Sequence, residues 1–297
     1  MKKYLNISNS AKGLFLMLMG QLSFAINDSL VKFMVKTSEN NFSTLNIIFI
    51  RGFFTSLLIL MIIFLFNQNN LKTTFKNKNS YLRGFFEVLT AVFFFAGLVL
   101  MPMANVYTLL MTAPFIVTMY SFFILKEKVG LRRWSAVIIG FIGVIIVINP
   151  QNLQFGWIFI FPIISAFFLT LRDVVTKEIV NKNNSFDITL VTSLLVMIFS
   201  GIGAFFLNTE IHIYNITYIF ISSIFLTSGY VCSVLTVYYA PLSLTASTRY
   251  SVIVFGIILG YVILGEEPSL NMLIGAIIIT ASGLFVIKRE KDLGKIN

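Results

Sequence analysis

The reading of the fold turns on residues 102–148, PMANVYTLLMTAPFIVTMYSFFILKEKVGLRRWSAVIIGFIGVIIVI, set beside residues 241–287, PLSLTASTRYSVIVFGIILGYVILGEEPSLNMLIGAIIITASGLFVI. The two align without a gap. Pro102 meets Pro241, Leu125 meets Leu264, Glu127 meets Glu266, Leu131 meets Leu270, and Val147-Ile148 meets Val286-Ile287. In each copy an apolar run closes on Leu-x-Glu and a second apolar run follows. A shorter echo pairs NDSLVK at 27–32 with RDVVTK at 172–177. Both place an Asp and a Lys about one helical turn apart near the end of an apolar run. Apolar identities are common in such sequences, so the Pro, Glu, Asp and Lys coincidences carry the argument for an internal repeat.

Working outward, 57% of the chain is apolar and only 11% is charged, against about 25% charged in a typical soluble domain. A soluble chain of this composition would leave large apolar patches in water, so lipid must solvate much of its surface. Crossing the hydrocarbon core takes about 20 apolar residues as helix. Ten runs qualify, near 11–36, 44–66, 81–101, 103–125, 131–149, 155–177, 187–208, 215–239, 241–264 and 270–287. They lack the alternation of membrane β-strands. Pro102, Pro150, Pro241 and Pro268 fall at their ends, where proline costs no internal hydrogen bond. Pro114 and Pro162 fall inside runs and predict kinks. Residues 67–80, NQNNLKTTFKNKNS, read as a solvated loop. The first run has basic residues ahead of it, as a signal peptide does. Its counterpart in the second half argues that it is a permanent span.

The net charge of +10 is not that of a nucleic-acid binder, because its residues are distributed as a topology signal. Eighteen of the 22 Lys and Arg residues fall on one side of the alternating runs; Lys32 and Lys36 fall on the other, and Arg51 and Arg249 lie within runs. By the positive-inside rule both termini are cytoplasmic. The expected fold class is an all-α membrane protein with ten transmembrane helices in two inverted five-helix repeats, residues 11–149 and 155–288. An odd number of spans per half makes the second half upside down, an architecture that recurs in secondary transporters.

Several residues bear on chemistry. Charged side chains at membrane depth are costly and tend to face a cavity or a partner. Arg249, some eight residues into its run, is the leading substrate contact, since a guanidinium fork suits a carboxylate or phosphate; a structural pair with an acid is the alternative. Arg51 pairs with Asp28 or contacts substrate. Glu87, four residues after Arg83, reads first as half of a local ion pair and second as a coupling carboxylate. Asp28 and Asp173 are expected to clasp neighbouring helices, and Glu127 and Glu266 to be solvated or structural helix ends. Tyr107, Tyr230, Tyr238 and Tyr250 are cavity candidates, because a phenol within a span seeks a hydrogen-bond partner. Asn105 and Thr108 flank the central path. Gly256 and Gly260 form a close-packing face. The single Cys232 and single His212 allow neither an internal disulfide nor a Cys/His metal site, and are a packing residue and a loop residue. No metal or cofactor is expected. The expected partners are a small-molecule substrate and the lipid bilayer, with a homodimer left open.

These segments together carry a family resemblance: NDSLVK at 27–32, FIRG at 49–52, YLRG at 81–84, TAPF at 112–115, LKEK at 125–128 followed by Arg133-Trp134, Arg172-Asp173, and 239–268 with Tyr239-Ala240-Pro241, Arg249-Tyr250 and Gly265-Glu266-Glu267-Pro268. In their order and spacing the chain resembles the drug/metabolite transporter superfamily, in its ten-helix EamA-type branch. The resemblance covers nearly the whole chain. It implies duplicated five-helix units in the bacterial inner membrane and uptake or export of amino acids, vitamins or other metabolites. The subgroup it resembles includes S-adenosylmethionine and riboflavin carriers. Members of that subgroup often carry an acid before the tyrosine matching Tyr250, where this chain has Arg249. The expected function is secondary transport of a small organic metabolite (amino-acid, nucleoside-like or vitamin-like) by alternating access. No nucleotide-binding loop is present to supply ATP-driven transport. The competing readings are an intramembrane lipid-modifying enzyme, for which the spans offer no His pair or Gly-x-Ser-x-Gly elbow, and a non-transporting membrane scaffold.

Overall fold

The structure, a computed structural model, describes residues 9–37, 44–65, 71–123, 131–148, 156–207, 216–240 and 248–292. Glu127, His212, Pro150 and Pro241 lie outside the described residues. Within them the chain is helical, without strands: α1 (Asn9–Thr37), α2 (Thr44–Leu65), α3 (Leu71–Lys76), α4 (Lys78–Leu100), α5 (Met103–Leu110), α6 (Ala113–Phe123), α7 (Leu131–Ile148), α8 (Ile160–Ile179, entered through a 3-10 turn at Gly156–Phe159), α9 (Ser185–Phe206), α10 (Ile216–Tyr239), α11 (Ser251–Leu264) and α12 (Leu270–Asp292). Among the described residues six stretches are long and apolar enough to cross a membrane: Asn9–Thr37, Thr44–Leu65, Lys78–Leu100, Gly156–Ile179, Ser185–Phe206 and Ile216–Tyr239. Their outward faces carry Phe15, Phe53, Phe64, Phe167, Phe205 and Phe206. In water such a surface would aggregate; in acyl chains it costs nothing.

The helices pair in a definite pattern. α1 packs along α10, α4 along α8, α2 along α9, α7 along α12, and α5 against α11. The α7–α12 seam depends on small residues. A Cβ on Gly275 would lie 2.7 Å from the Gly143 carbonyl oxygen, and one on Gly143 would lie 3.1 Å from that of Gly275. Only paired glycines let two backbones approach so closely.

Two of the predicted spans are discontinuous. Residues 103–123 divide into α5 and α6 at a turn over Met111 and Thr112. Pro114 has no N–H to return to the carbonyl of Leu110, which favours an interruption of the helix at this point. On the second-half side the helix begins only at Ser251, after a turn at Arg249 and Tyr250. Arg249 therefore sits at a helix break, not eight residues into a continuous span.

The polar stretch expected as a loop is partly helix. α3 docks on the start of α9: Asn183 Nδ2 donates to Thr74 Oγ1 at 3.0 Å, and Asn77 Nδ2 donates to Asn183 Oδ1 at 2.8 Å. Its polar side chains find each other, which allows Thr74 to be fully buried. Asn77 also caps α4 by accepting from the Asn79 N–H at 3.0 Å. At the far end of α11, Gly265 adopts φ of 66°, a left-handed turn that glycine adopts without strain. That turn brings the Glu266 N–H back to the Gly260 carbonyl at 3.0 Å and aims the Glu266 side chain across the molecule.

Candidate functional site

At the centre, α1, α2, α4, α5, α8 and α10, with Arg249 and Val252 at the start of α11, enclose a cavity. It holds about 670 Å³ of atom-free space, counting its open end. Its wall is largely aromatic and aliphatic, with Phe24, Phe94, Phe95, Leu169 and Leu226, and it is crossed by a line of charge: Asp28, Arg51, Glu87, Arg172 and Arg249.

The charges form two groups. In the first, Arg172 donates from Nη1 to Glu87 Oε2 at 2.8 Å and from Nε and Nη2 to Asp173 Oδ1 at 3.0 and 2.7 Å. Arg249 Nη2 meets the other oxygen, Asp173 Oδ2, at 2.6 Å. The positive end of the α11 dipole disfavours a cation at Arg249; the Asp173 carboxylate offsets that. Among the described residues Arg249 Nε is buried without a partner. All four side chains are nearly inaccessible, and their charges cancel.

In the second group, Tyr107 O–H donates to Asp28 Oδ2 at 2.7 Å and Asn27 Nδ2 donates to Asp28 Oδ1 at 2.8 Å. Arg51 Nη1 donates to Asn27 Oδ1 at 3.0 Å, and its guanidinium lies 4.9 Å from the Phe95 ring centroid. Tyr107 stacks on Phe94 at 5.8 Å and reaches Asp28 across α11, because Gly256 has no side chain. A Cβ there would stand 2.4 Å from Tyr107 Cδ2.

The structure thus brings Arg249, Arg51, Tyr107, Tyr230, Glu87 and Asp28 to one cavity. It does not bring Tyr250, Asn105 or Thr108 there. Tyr250 is buried toward α7, where its hydroxyl lies 3.6 Å from the position a Cβ on Gly140 would take. Thr108 turns its hydroxyl back to the Ala104 carbonyl at 2.7 Å, the usual way a buried threonine satisfies itself in a helix. Asn105 stands outside the lining, its Oδ1 unpartnered among the described residues. Tyr238 is 54% exposed. The expected Arg83–Glu87 pair is not formed. Arg83 instead donates to Thr176 Oγ1 at 2.9 Å and to Thr192 Oγ1, and Glu87 turns to Arg172 on the neighbouring helix.

Glu266, expected as a solvated or structural helix end, is the structural kind. Its Oε1 meets Lys32 Nζ at 2.5 Å and its Oε2 accepts from the Met103 N–H at 2.9 Å. Lys32 also donates to the Met101 carbonyl at 2.6 Å, and Lys36 to the Leu264 carbonyl at 2.8 Å. Sequence reasoning missed Arg172, counting it among the orienting charges, and missed Asn27. The signal was present: the NDSLVK and RDVVTK echo places both beside the acids that structure the cavity. Among the described residues no group of three or more His, Cys, Asp or Glu could hold a metal ion.

Comparison with known proteins agrees with this architecture. The chain is 24% identical over 301 residues to the S-adenosylmethionine uptake transporter of Rickettsia prowazekii (strain Madrid E), covering 98% of this chain and 95% of that one. It is 26% identical over 202 residues to the riboflavin transporter of Rhizobium johnstonii, covering 66% and 65% of the two chains. A solved crystal structure shares the fold with a TM-score of 0.71 at 12% identity, over 94% of this chain and 98% of that chain. The model of the EamA-like transporter family matches twice, at residues 11–149 and 155–288, and the chain belongs to that family.

Proposed function

We propose that the chain is a secondary carrier that binds a small organic metabolite in the central cavity and exposes it alternately to the two sides of a bacterial inner membrane. That it is a multi-pass membrane transporter and not an enzyme follows from its family. The observation that carries the finer reading is the cavity itself: buried, ion-lined and aromatic, at the meeting of helices from both matched segments. Such charges at membrane depth are retained where a substrate path needs them.

Ten spans in two inverted halves form the frame of this carrier. The pairing pattern supports it. If the halves are exchanged, with α1 taking the place of α8, α2 of α9, α4 of α10, α5 of α11 and α7 of α12, every principal contact maps onto another or onto itself. α1 with α10 becomes α8 with α4; α2 with α9, α5 with α11 and α7 with α12 are preserved. The two broken spans are exchange partners as well, and broken helices at the repeat interface are where such carriers bind cargo. In this reading Arg249, Arg51, Tyr107 and Tyr230 contact substrate, Asp28 and Glu87 tune its charge, and both termini face the cytoplasm. The S-adenosylmethionine and riboflavin transport of the relatives marks the size of cargo to screen first. Uptake into liposomes holding the purified protein, with a metabolite panel and with or without a pH gradient, tests the carrier. Movement or exchange of at least one solute is expected; none in either direction defeats it.

A further inference from the structure

Arg51 and Asp28 are opposite charges in one buried cavity, yet among the described residues no acid pairs directly with Arg51. In a low-dielectric interior such charges attract strongly, so something must hold them apart. Asn27 stands between them. Its Oδ1 accepts from Arg51 Nη1 at 3.0 Å while its Nδ2 donates to Asp28 Oδ1 at 2.8 Å. The Ser222 hydroxyl on α10 donates to the same Oδ1 at 2.9 Å. The amide therefore cannot turn over, because its nitrogen would then face the Arg51 donor and its oxygen the Asp28 carboxylate. In the other arginine–acid group in the cavity each acid is taken directly by a guanidinium. The Arg51–Asp28 group is open. Among the described residues Arg51 Nε is buried without a partner, and each Asp28 oxygen accepts one bond where a carboxylate oxygen takes two.

We propose that Asn27 is the spacer of a split ion pair, and that Arg51 and Asp28 together receive a cargo group carrying neighbouring opposite charges, as an α-amino acid head does. The carboxylate docks on Arg51 and the ammonium on Asp28. The rest of the cargo lies against Phe24 and Phe94. Asn27 is a positioning residue that sets the distance between the two charges. This inference rests on the carrier reading for the cavity being a cargo site, and adds the charge pattern of the cargo.

The test uses the purified full chain in detergent and three probes of one shape: phenylalanine, phenethylamine and 3-phenylpropanoate. Thermal stabilisation is measured against probe concentration. Phenylalanine is expected to act at a concentration at least tenfold lower than either singly charged probe. Asn27→Ala is expected to let the pair close and to abolish that preference, and Asn27→Gln to restore part of it. Ser222→Ala, which removes one of the three hydrogen bonds that hold the amide in place, is a milder second variant expected to lower the preference severalfold. A purely structural role for Asn27 would move the melting temperature without changing the ratio among probes. Equal action of the three probes, action by none, or an unchanged ratio in Asn27→Ala overturns the split pair. Uptake into liposomes separates the two ideas. Binding of phenylalanine without transport of any solute defeats the carrier and leaves the split pair standing. Transport without preference for the zwitterion defeats the split pair alone.

Discussion

At the scale of single residues, each buried charge is held by partners from other helices, so each is exposed to a sharp test. Arg249 lines the cavity, donates to Asp173 and, among the described residues, leaves Nε without a partner. A charge-assisted hydrogen bond is worth about 1.5–3 kcal/mol, so Arg249→Ala is expected to lower kcat/KM for an anionic or zwitterionic solute by about one to two orders of magnitude. Unchanged kinetics would remove Arg249 from the site. Glu87 works differently. Losing one partner of a buried pair strands the other charge, at a cost of about 3–5 kcal/mol. Asp173 still holds Arg172 in Glu87→Ala, so the loss should fall at the lower end of that range. It is measured as a lowered unfolding temperature in detergent. The Glu87 partner was not legible in the sequence: spacing along one helix pointed to Arg83, while packing of α4 on α8 supplied Arg172 at 2.8 Å.

At the scale of elements, the breaks in α5–α6 and before α11 decide which side chains reach the cavity. Pro114 announces the first break, since a missing N–H is a local property. The second leaves Arg249 in a turn, and it is Asp173 on α8 that makes that position tolerable for a cation. Gly256 shows how an element is cut to fit another. Gly256→Ala would drive a methyl group into the Tyr107 ring and pull its hydroxyl from Asp28. The expected result is a melting temperature lower by several degrees together with loss of uptake; wild-type uptake in that variant would show that the Tyr107–Asp28 bond is dispensable. The long helices themselves were readable from apolar length alone, with ends within a few residues of those found. The α3 segment was not, because its polar composition is that of a loop and its helix depends on docking to α9.

For the whole molecule, the two faces differ. On the face bearing Lys32 and Lys36, the end of α1 is tied to Glu266, to the Met101 carbonyl and to the end of α11. A carrier must loosen one such closure to release cargo. In a Cys232→Ser background, Lys32→Gln is expected to increase thiol labelling of Gln21→Cys from that face; equal labelling with and without the lysine would show that the ion pair does not seal the cavity. Orientation is checked by cysteines at Lys36 and Lys76, expected to label from opposite sides of the membrane. Labelling of both from one side would overturn the topology.

The sequence alone determined that this chain is a helical membrane protein with an internal repeat, because apolar run length, proline positions and the matched Leu-x-Glu segments are local properties, written residue by residue. It also singled out Arg51, Asp28, Glu87, Arg249, Tyr107 and Tyr230 as polar groups out of place in lipid. Only the tertiary structure decided which of them meet. Hydrogen-bond partners on different helices are set by helix rotation and crossing, to which one-dimensional spacing is blind. That is why Arg172 proved central, Tyr250 and Thr108 turned away, and Asn27 stood between two charges that the sequence would have joined.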